Sequence, residues 1–184
     1  ARAADESLAM QGPVVAAVRA DLATEIDPVA PHLSVHGELH PAEGVLAGDW
    51  WGAVPLDGER TALLVLDVSG HGPLAGLVTM RLRAVMTVAL RSGFDPATAL
   101  ERAAISLADT DDGRFATALV AVLDPVAATV EWANAGHPAG WLLPGDIHLD
   151  EAQRLLDLRL PEGAYETMAG LVIHTFARLP GVGQ

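Results

Sequence analysis

Between Leu63 and Leu77 the chain reads LLVLDVSGHGPLAGL, a stretch that sharply limits what can be built around it. Four apolar residues suit a buried strand, and a single carboxylate, Asp67, closes the run. Two glycines and a histidine then make a turn, and Pro73 opens a second apolar run. Proline suits the first turn of a helix, where no amide donor is missed. From there LAGLVTMRLRAVMTVALRSG repeats its apolar residues at helical spacing as far as Gly93, a typical helix stop. The stretch therefore predicts strand, turn and helix in immediate succession.

Its flanks extend the pattern. LSVHGELH, from Leu33, alternates apolar and polar residues as a half-buried strand does. GDWWGAVPL and TALLVLDV are separated by Asp57-Gly58, a favoured hairpin pair, so these two strands should run antiparallel. Asp95, followed by Pro96, caps a second helix through ATALERAAISLADT. FATALVAVLDP and ATVEWANAGHP predict another hairpin across Asp124-Pro125, and AGWLLP one more short strand. The first thirty residues are Ala-rich and partly helical in pattern, broken at Gly12-Pro13 and punctuated by Pro28 and Pro31. Strands, two helices and strands again define an α+β order rather than alternating βαβ units.

At Pro144-Gly145-Asp146 the texture changes. LDEAQRLLDLRLP predicts a compact amphipathic helix whose acidic first turn suits the helix dipole, and YETMAGLVIHTFARLP predicts a second.

Bulk properties remove several function classes. With 184 residues the chain can hold one domain, or one domain and an appendage. A net charge of −13 argues against non-specific nucleic-acid or anionic-membrane partners, which need a positive face. The absence of cysteine excludes disulfides and thiolate metal sites. No uninterrupted apolar run reaches the roughly 18–20 residues of a membrane span, and no signal peptide opens the chain. No direct membrane insertion and a cytoplasmic location are expected. With Ala in place of Met at position 1, the chain reads as an excised or processed piece.

A carboxylate at the end of a buried strand is held on a fixed backbone and points into a loop-lined cleft. Neighbouring glycines let backbone approach whatever it holds, and hard cations such as Mg²⁺ or Mn²⁺ favour such oxygen ligands. Gly48-Asp49-Trp50 repeats the theme one strand earlier. If the two strands pair, Asp49 and Asp67 face one pocket, where a divalent ion would relieve their repulsion. Asp57 reads as a turn residue, and His36 and His40 as surface residues of a strand. His71 stays open between a structural loop role and proton transfer.

GDWW at 48–51, LDVSGHG at 66–72, FATA at 115–118 and NAGHP at 134–138 occur in order and at sensible intervals. Together they resemble the PPM-type metal-dependent protein phosphatases, in the SpoIIE-like bacterial branch, over residues 8–143. The resemblance implies a sandwich of two antiparallel sheets flanked by helices, with a two-ion Mn²⁺ or Mg²⁺ centre at one end. It makes Asp49 and Asp67 the catalytic carboxylate ligands, with Asp67 bridging both ions and the Val68 main-chain carbonyl a further ligand. Water activated at the ions would attack the phosphoryl group. Gly48, Gly70, His71 and Gly72 would support the centre. Phe115, Thr117 and the Asn134–Pro138 turn would be structural. The implied partner is a phosphoprotein, in this branch a phosphorylated anti-sigma-factor antagonist.

Two departures qualify that picture. Trp51-Gly52 stand where the family usually has a second acid. The later Thr-Asp-Gly motif, whose aspartate is another metal ligand, is missing. Asp146 and Asp150 are candidates by chemistry alone. Instead, GDIHLDEAQRLLDLRLPEGAYETMAGLVIHTFARLPGVG resembles the first half of a CorC/HlyC transporter-associated domain, through Tyr165, Thr167, Ala169, Gly170, Pro180 and Gly183. The expected organisation is thus a truncated phosphatase domain at 1–143 and a partial regulatory segment at 144–184. Three readings follow: a protein-serine/threonine phosphatase, a non-catalytic chimera or remnant on the same scaffold, and a transporter-associated module. An incomplete sandwich exposes sheet edges, so a homodimer through an edge or through swapped C-terminal helices is also expected.

Overall fold

The computed structural model describes residues 12–22, 33–37, 39, 48–109, 113–157, 159–161 and 163–176. The chain divides into two compact units, Ala1–Pro138 and Ala139–Gln184.

Among the described residues the first unit runs through helix α1 (Pro13–Leu22), strands β1 (Trp50–Pro55) and β2 (Thr61–Val68), helices α2 (Pro73–Arg91) and α3 (Pro96–Ala108), and strands β3 (Ala116–Asp124) and β4 (Thr129–Ala135). The four strands form one antiparallel sheet in the order β1-β2-β3-β4. Period-two alternation decides which side chains meet the helices. Ala62, Leu64, Leu66 and Val68 of β2, with Ala118, Val120 and Val122 of β3, form the core with Val78, Leu82, Met86 and Leu90 of α2 and Ala99 and Ala103 of α3. Burying a leucine as completely as Leu64 or Leu90 stabilises the fold by about 1.5–3 kcal/mol.

Helix α2 has the length and composition of a membrane span, with a mean hydropathy of 1.4 over its best window. Its buried residues, Ala75, Gly76, Val78, Thr79, Leu82, Met86, Ala89 and Leu90, fall at helical spacing, and Val78, Leu82, Met86, Ala89 and Leu90 pack in the core. The end of α2 follows the expected signal: Gly93 adopts a φ of 84° and its N–H donates to Leu90 O at 3.0 Å. Asp95 caps α3, accepting from Thr98 N at 2.8 Å and from the Thr98 hydroxyl at 3.0 Å. In the β3–β4 turn, Asp124 Oδ1 accepts from the N–H groups of Val126 and Ala127 at 3.0 and 2.9 Å.

The α+β order, the antiparallel hairpins and the flanking helices are all present. The described residues hold one sheet rather than the two of the expected sandwich. Two expected strands are corrected. AGWLLP, bracketed by Pro138 and Pro144, has no strand pairing, and Leu142 is 83% exposed. Residues 33–37 and 39 also lie outside any ladder, and the remainder of LSVHGELH, including His40, lies outside the described residues. Alternation alone makes no strand where no neighbour supplies hydrogen bonds.

The second unit contains α4 (Leu149–Leu156) and α5 (Met168–Phe176). Helix α4 ends earlier than its apolar pattern predicts, because Asp157 turns left-handed at a φ of 51°. A bridge between His148 and Thr167 joins the two helix starts, with Leu149 N donating to Glu166 O at 2.9 Å and Met168 N to Ile147 O at 3.0 Å. The Thr167 hydroxyl accepts from Gly170 N at 3.2 Å, as a helix cap does. Tyr165 donates to Pro161 O at 3.0 Å and packs its ring against His174. Asp146 and Asp150 both belong to this unit, and Asp150 pairs with Arg154 at 3.5 Å. Pro180 and Gly183 lie outside the described residues.

Candidate functional site

The β1–β2 ladder pairs Trp50 with Leu66 and Trp51 with Val65. Continued one step past Trp50, this register sets Asp49 directly against Asp67 on the sheet face away from the helices. On the other side of β2, Asp67 is paired with Thr117 of β3. Three motif residues thus stand in one row across the end of the sheet.

Gly48 permits this arrangement. A β-carbon at position 48 would lie 2.0 Å from the Val68 carbonyl oxygen, so any larger residue would drive the strands apart. Val68 N donates to Gly48 O at 3.3 Å, and the buried Thr79 hydroxyl of α2 donates to the same oxygen at 2.7 Å. Helix α2 therefore holds the Gly48-Asp49 turn against the end of β2. The Val68 carbonyl, expected as a ligand, packs on the Gly48 α-carbon.

Gly70 and Gly72 shape the turn that follows Asp67. Their φ angles are 92° and 89°, and nothing lies within 4 Å of where either β-carbon would stand. They supply the left-handed backbone that swings the chain from β2 into α2. Ser69 ties that turn to β3: its N–H donates to Phe115 O at 2.9 Å, and its hydroxyl accepts from Phe115 N at 3.0 Å. His71 is exposed in the same turn.

The two carboxyls are close enough to share a proton. Asp49 is raised above its ordinary pKa by partial loss of hydration, then by the charge of Asp67 and a carboxyl–carboxyl hydrogen bond. His137 acts in the opposite direction on Asp49. Both aspartates remain open to solvent. With Trp51, Leu63, Val65 and His137 they line a cavity of about 470 Å³.

Sequence reasoning placed the Asn134–Pro138 turn among the supports. Its framework is supportive: Asn134 Oδ1 accepts from His137 N and Asn134 Nδ2 donates to His137 O, both at 2.8 Å. Gly136 supplies the positive φ, 73°, that the turn requires. The ring of His137, however, lies 3.0 Å through Nδ1 from the Thr117 hydroxyl, and His137 lines the same cavity as the acid pair. The placing of Asn134 three residues before His137, in Asn-Ala-Gly-His-Pro, was the available signal. His36 is exposed, as expected of a surface residue, and lines the same cavity.

Comparison with known proteins agrees with this convergence of motifs. The family model described as Stage II sporulation protein E (SpoIIE) matches residues 57–175. The chain belongs to the SpoIIE family. The match contains Asp67, Thr117 and His137, and begins after Asp49. The phosphoserine phosphatase RsbP of Bacillus subtilis (strain 168) is 31% identical over 102 residues, which is 53% of this chain and 25% of that protein. A crystal structure of the RsbU and RsbW domains of Rv1364c from Mycobacterium tuberculosis is 34% identical, with a TM-score of 0.44, and the match covers 50% of this chain and 26% of that one. This SpoIIE-family chain thus spans about a quarter of the length of either relative.

The donor set bears directly on the family's divalent ions. A pair of carboxyls that must share a proton when alone can bind a hard cation in its place. Among the described residues no cluster of three or more His, Asp or Glu side chains is grouped to hold an ion. The pair thus offers a hard cation two carboxylate ligands, a set that main-chain oxygen and water would complete.

Proposed function

We propose that this chain carries a metal-dependent serine/threonine phosphoprotein phosphatase domain acting in the cytoplasm on a phosphorylated anti-sigma-factor antagonist. The observation that carries this reading is the Asp49–Asp67 pair, two acids set face to face at a cost that a divalent cation removes. The likeness to RsbP, named a phosphoserine phosphatase, supports the same chemistry. Bound Mn²⁺ or Mg²⁺ would supply Lewis-acid stabilisation of the phosphoryl oxygens. Asp49 and Asp67 would hold the ion, the Gly48–Val68 contact would keep their spacing, and the turn at Gly70–Gly72 would leave the mouth open. Manganese-dependent hydrolysis of p-nitrophenyl phosphate, lost in Asp67→Asn, is the expected result. No Mn²⁺ binding by calorimetry at millimolar concentration would overturn it.

A second reading is favoured by the separate compact unit that starts at Ala139. In it the chain is a non-catalytic chimera, its phosphatase domain ending near residue 143 and a CorC/HlyC-like regulatory segment following. The cap by Thr167 and the packing of Tyr165 on His174 support an ordered module there. The family match as far as residue 175 favours a continuous SpoIIE-type chain instead. Mn²⁺ binding without turnover selects the chimera. Gel filtration tests the accompanying expectation of a homodimer through an exposed sheet edge or swapped C-terminal helices.

A further inference from the structure

His137 is held more firmly than a turn residue requires. Asn134 alone closes the turn by bonding both main-chain groups of His137. The additional 3.0 Å contact from Thr117 Oγ1 to Nδ1 acts only on the ring. It comes from the residue paired with Asp67 across the sheet, so the strand register that places the acid also orients the imidazole. Among the described residues Nε2 has no hydrogen-bond partner, and the ring lines the cavity that holds Asp49 and Asp67.

A cavity floored by two carboxylates repels a phosphoryl dianion unless donors are aimed at its oxygens. A neutral imidazole offers one N–H and one acceptor, whereas a threonine hydroxyl can either donate or accept. When the hydroxyl donates to Nδ1, the ring proton is confined to Nε2 and faces the cavity. We propose that His137 is a substrate-contacting residue whose Nε2–H donates a hydrogen bond to a non-bridging phosphoryl oxygen, with Thr117 as the positioning residue that sets its tautomer. No proton is transferred in this role. This role rests on the phosphatase reading, but binding of the phosphoryl group can be measured without turnover.

Three variants of the full chain, His137→Ala, His137→Gln and Thr117→Val, test it with inorganic phosphate as the probe. In Mn²⁺-supplemented wild type, phosphate should shift the His137 ring resonances, and nitrogen-15 correlation spectra should show the proton on Nε2. His137→Ala should weaken phosphate binding about 10-fold or more, as expected for a lost bond to a charged group. Glutamine, whose amide can occupy the Nε2 position, should restore part of that loss. Thr117→Val, which keeps shape but removes the hydroxyl, should give a mixed tautomer. Where turnover is present, KM for p-nitrophenyl phosphate should rise more than kcat falls, with Mn²⁺ affinity unchanged. A wild-type ring protonated on Nδ1, or phosphate affinity equal in wild type and His137→Ala, overturns the proposal. So does a parallel fall in Mn²⁺ affinity, which would make the ring a metal ligand. Wild type that binds phosphate without hydrolysing ester would overturn the phosphatase reading alone.

Discussion

Strand β1 has an aspartate just beyond each end, and the two are in opposite electrical situations. Asp57, in the hairpin turn, bonds to the Arg60 guanidinium, which lowers its pKa. Asp49, at the other end, faces Asp67, and burial together with that second acid raises its pKa. An acid that meets a cation stabilises its turn, and its function ends there. An acid set against another acid is destabilised until something positive arrives. The difference lies in the partner that the hairpin register brings opposite, not in the residue itself.

That contrast can be broken by mutation. The largest effect belongs to Asp67→Asn, which takes a ligand from the proposed cation. Metal-dependent ester hydrolysis should fall about 100-fold or more, since even outer-shell partners of metal ligands are worth about 10–100-fold. A variant with wild-type rates would remove Asp67 from the chemistry. Next comes Gly48→Ala, which forces a methyl group onto the Val68 carbonyl. Chemical denaturation should show a loss of about 1–3 kcal/mol, the usual range for overpacking. Mn²⁺ binding should weaken with it, because the acids lose their spacing.

Asp49→Asn should act through pH. The folded pKa of Asp49 lies above its unfolded value, so in metal-free buffer the ionised pair destabilises the fold at neutral pH. Lowering the pH through the folded pKa towards the unfolded one should relieve this, and that gain in melting temperature should vanish in Asp49→Asn. Added Mn²⁺ should stabilise wild type at neutral pH and leave the variant unmoved. Asp57→Asn should give the smallest change of the four. Asp57 has a depressed folded pKa, so its contribution is present at neutral pH and disappears as pH falls through that value. Being fully exposed, it should alter neither Mn²⁺ binding nor turnover.

Much of this was legible in one dimension. Asp57-Gly58 marked the hairpin, Asp95-Pro96 the start of α3 and Gly93 the end of α2, because caps and turns depend on residues only a few positions apart. The motifs carrying Asp49 and Asp67 were visible for the same local reason. AGWLLP and LSVHGELH misled, since a strand needs a neighbour and apolar pattern cannot say whether one exists. His137 was read as support because its ring partner, Thr117, is twenty residues away.

The sequence by itself determined the α+β order, the strand-turn-helix unit around Asp67 and the family's motifs, all consequences of local periodicity and backbone preference. Only the tertiary structure decided that Asp49, Asp67, Thr117 and His137 share one end of the sheet. That meeting depends on the register of three antiparallel strand pairings, and a slip of one residue would have turned each side chain to the opposite face.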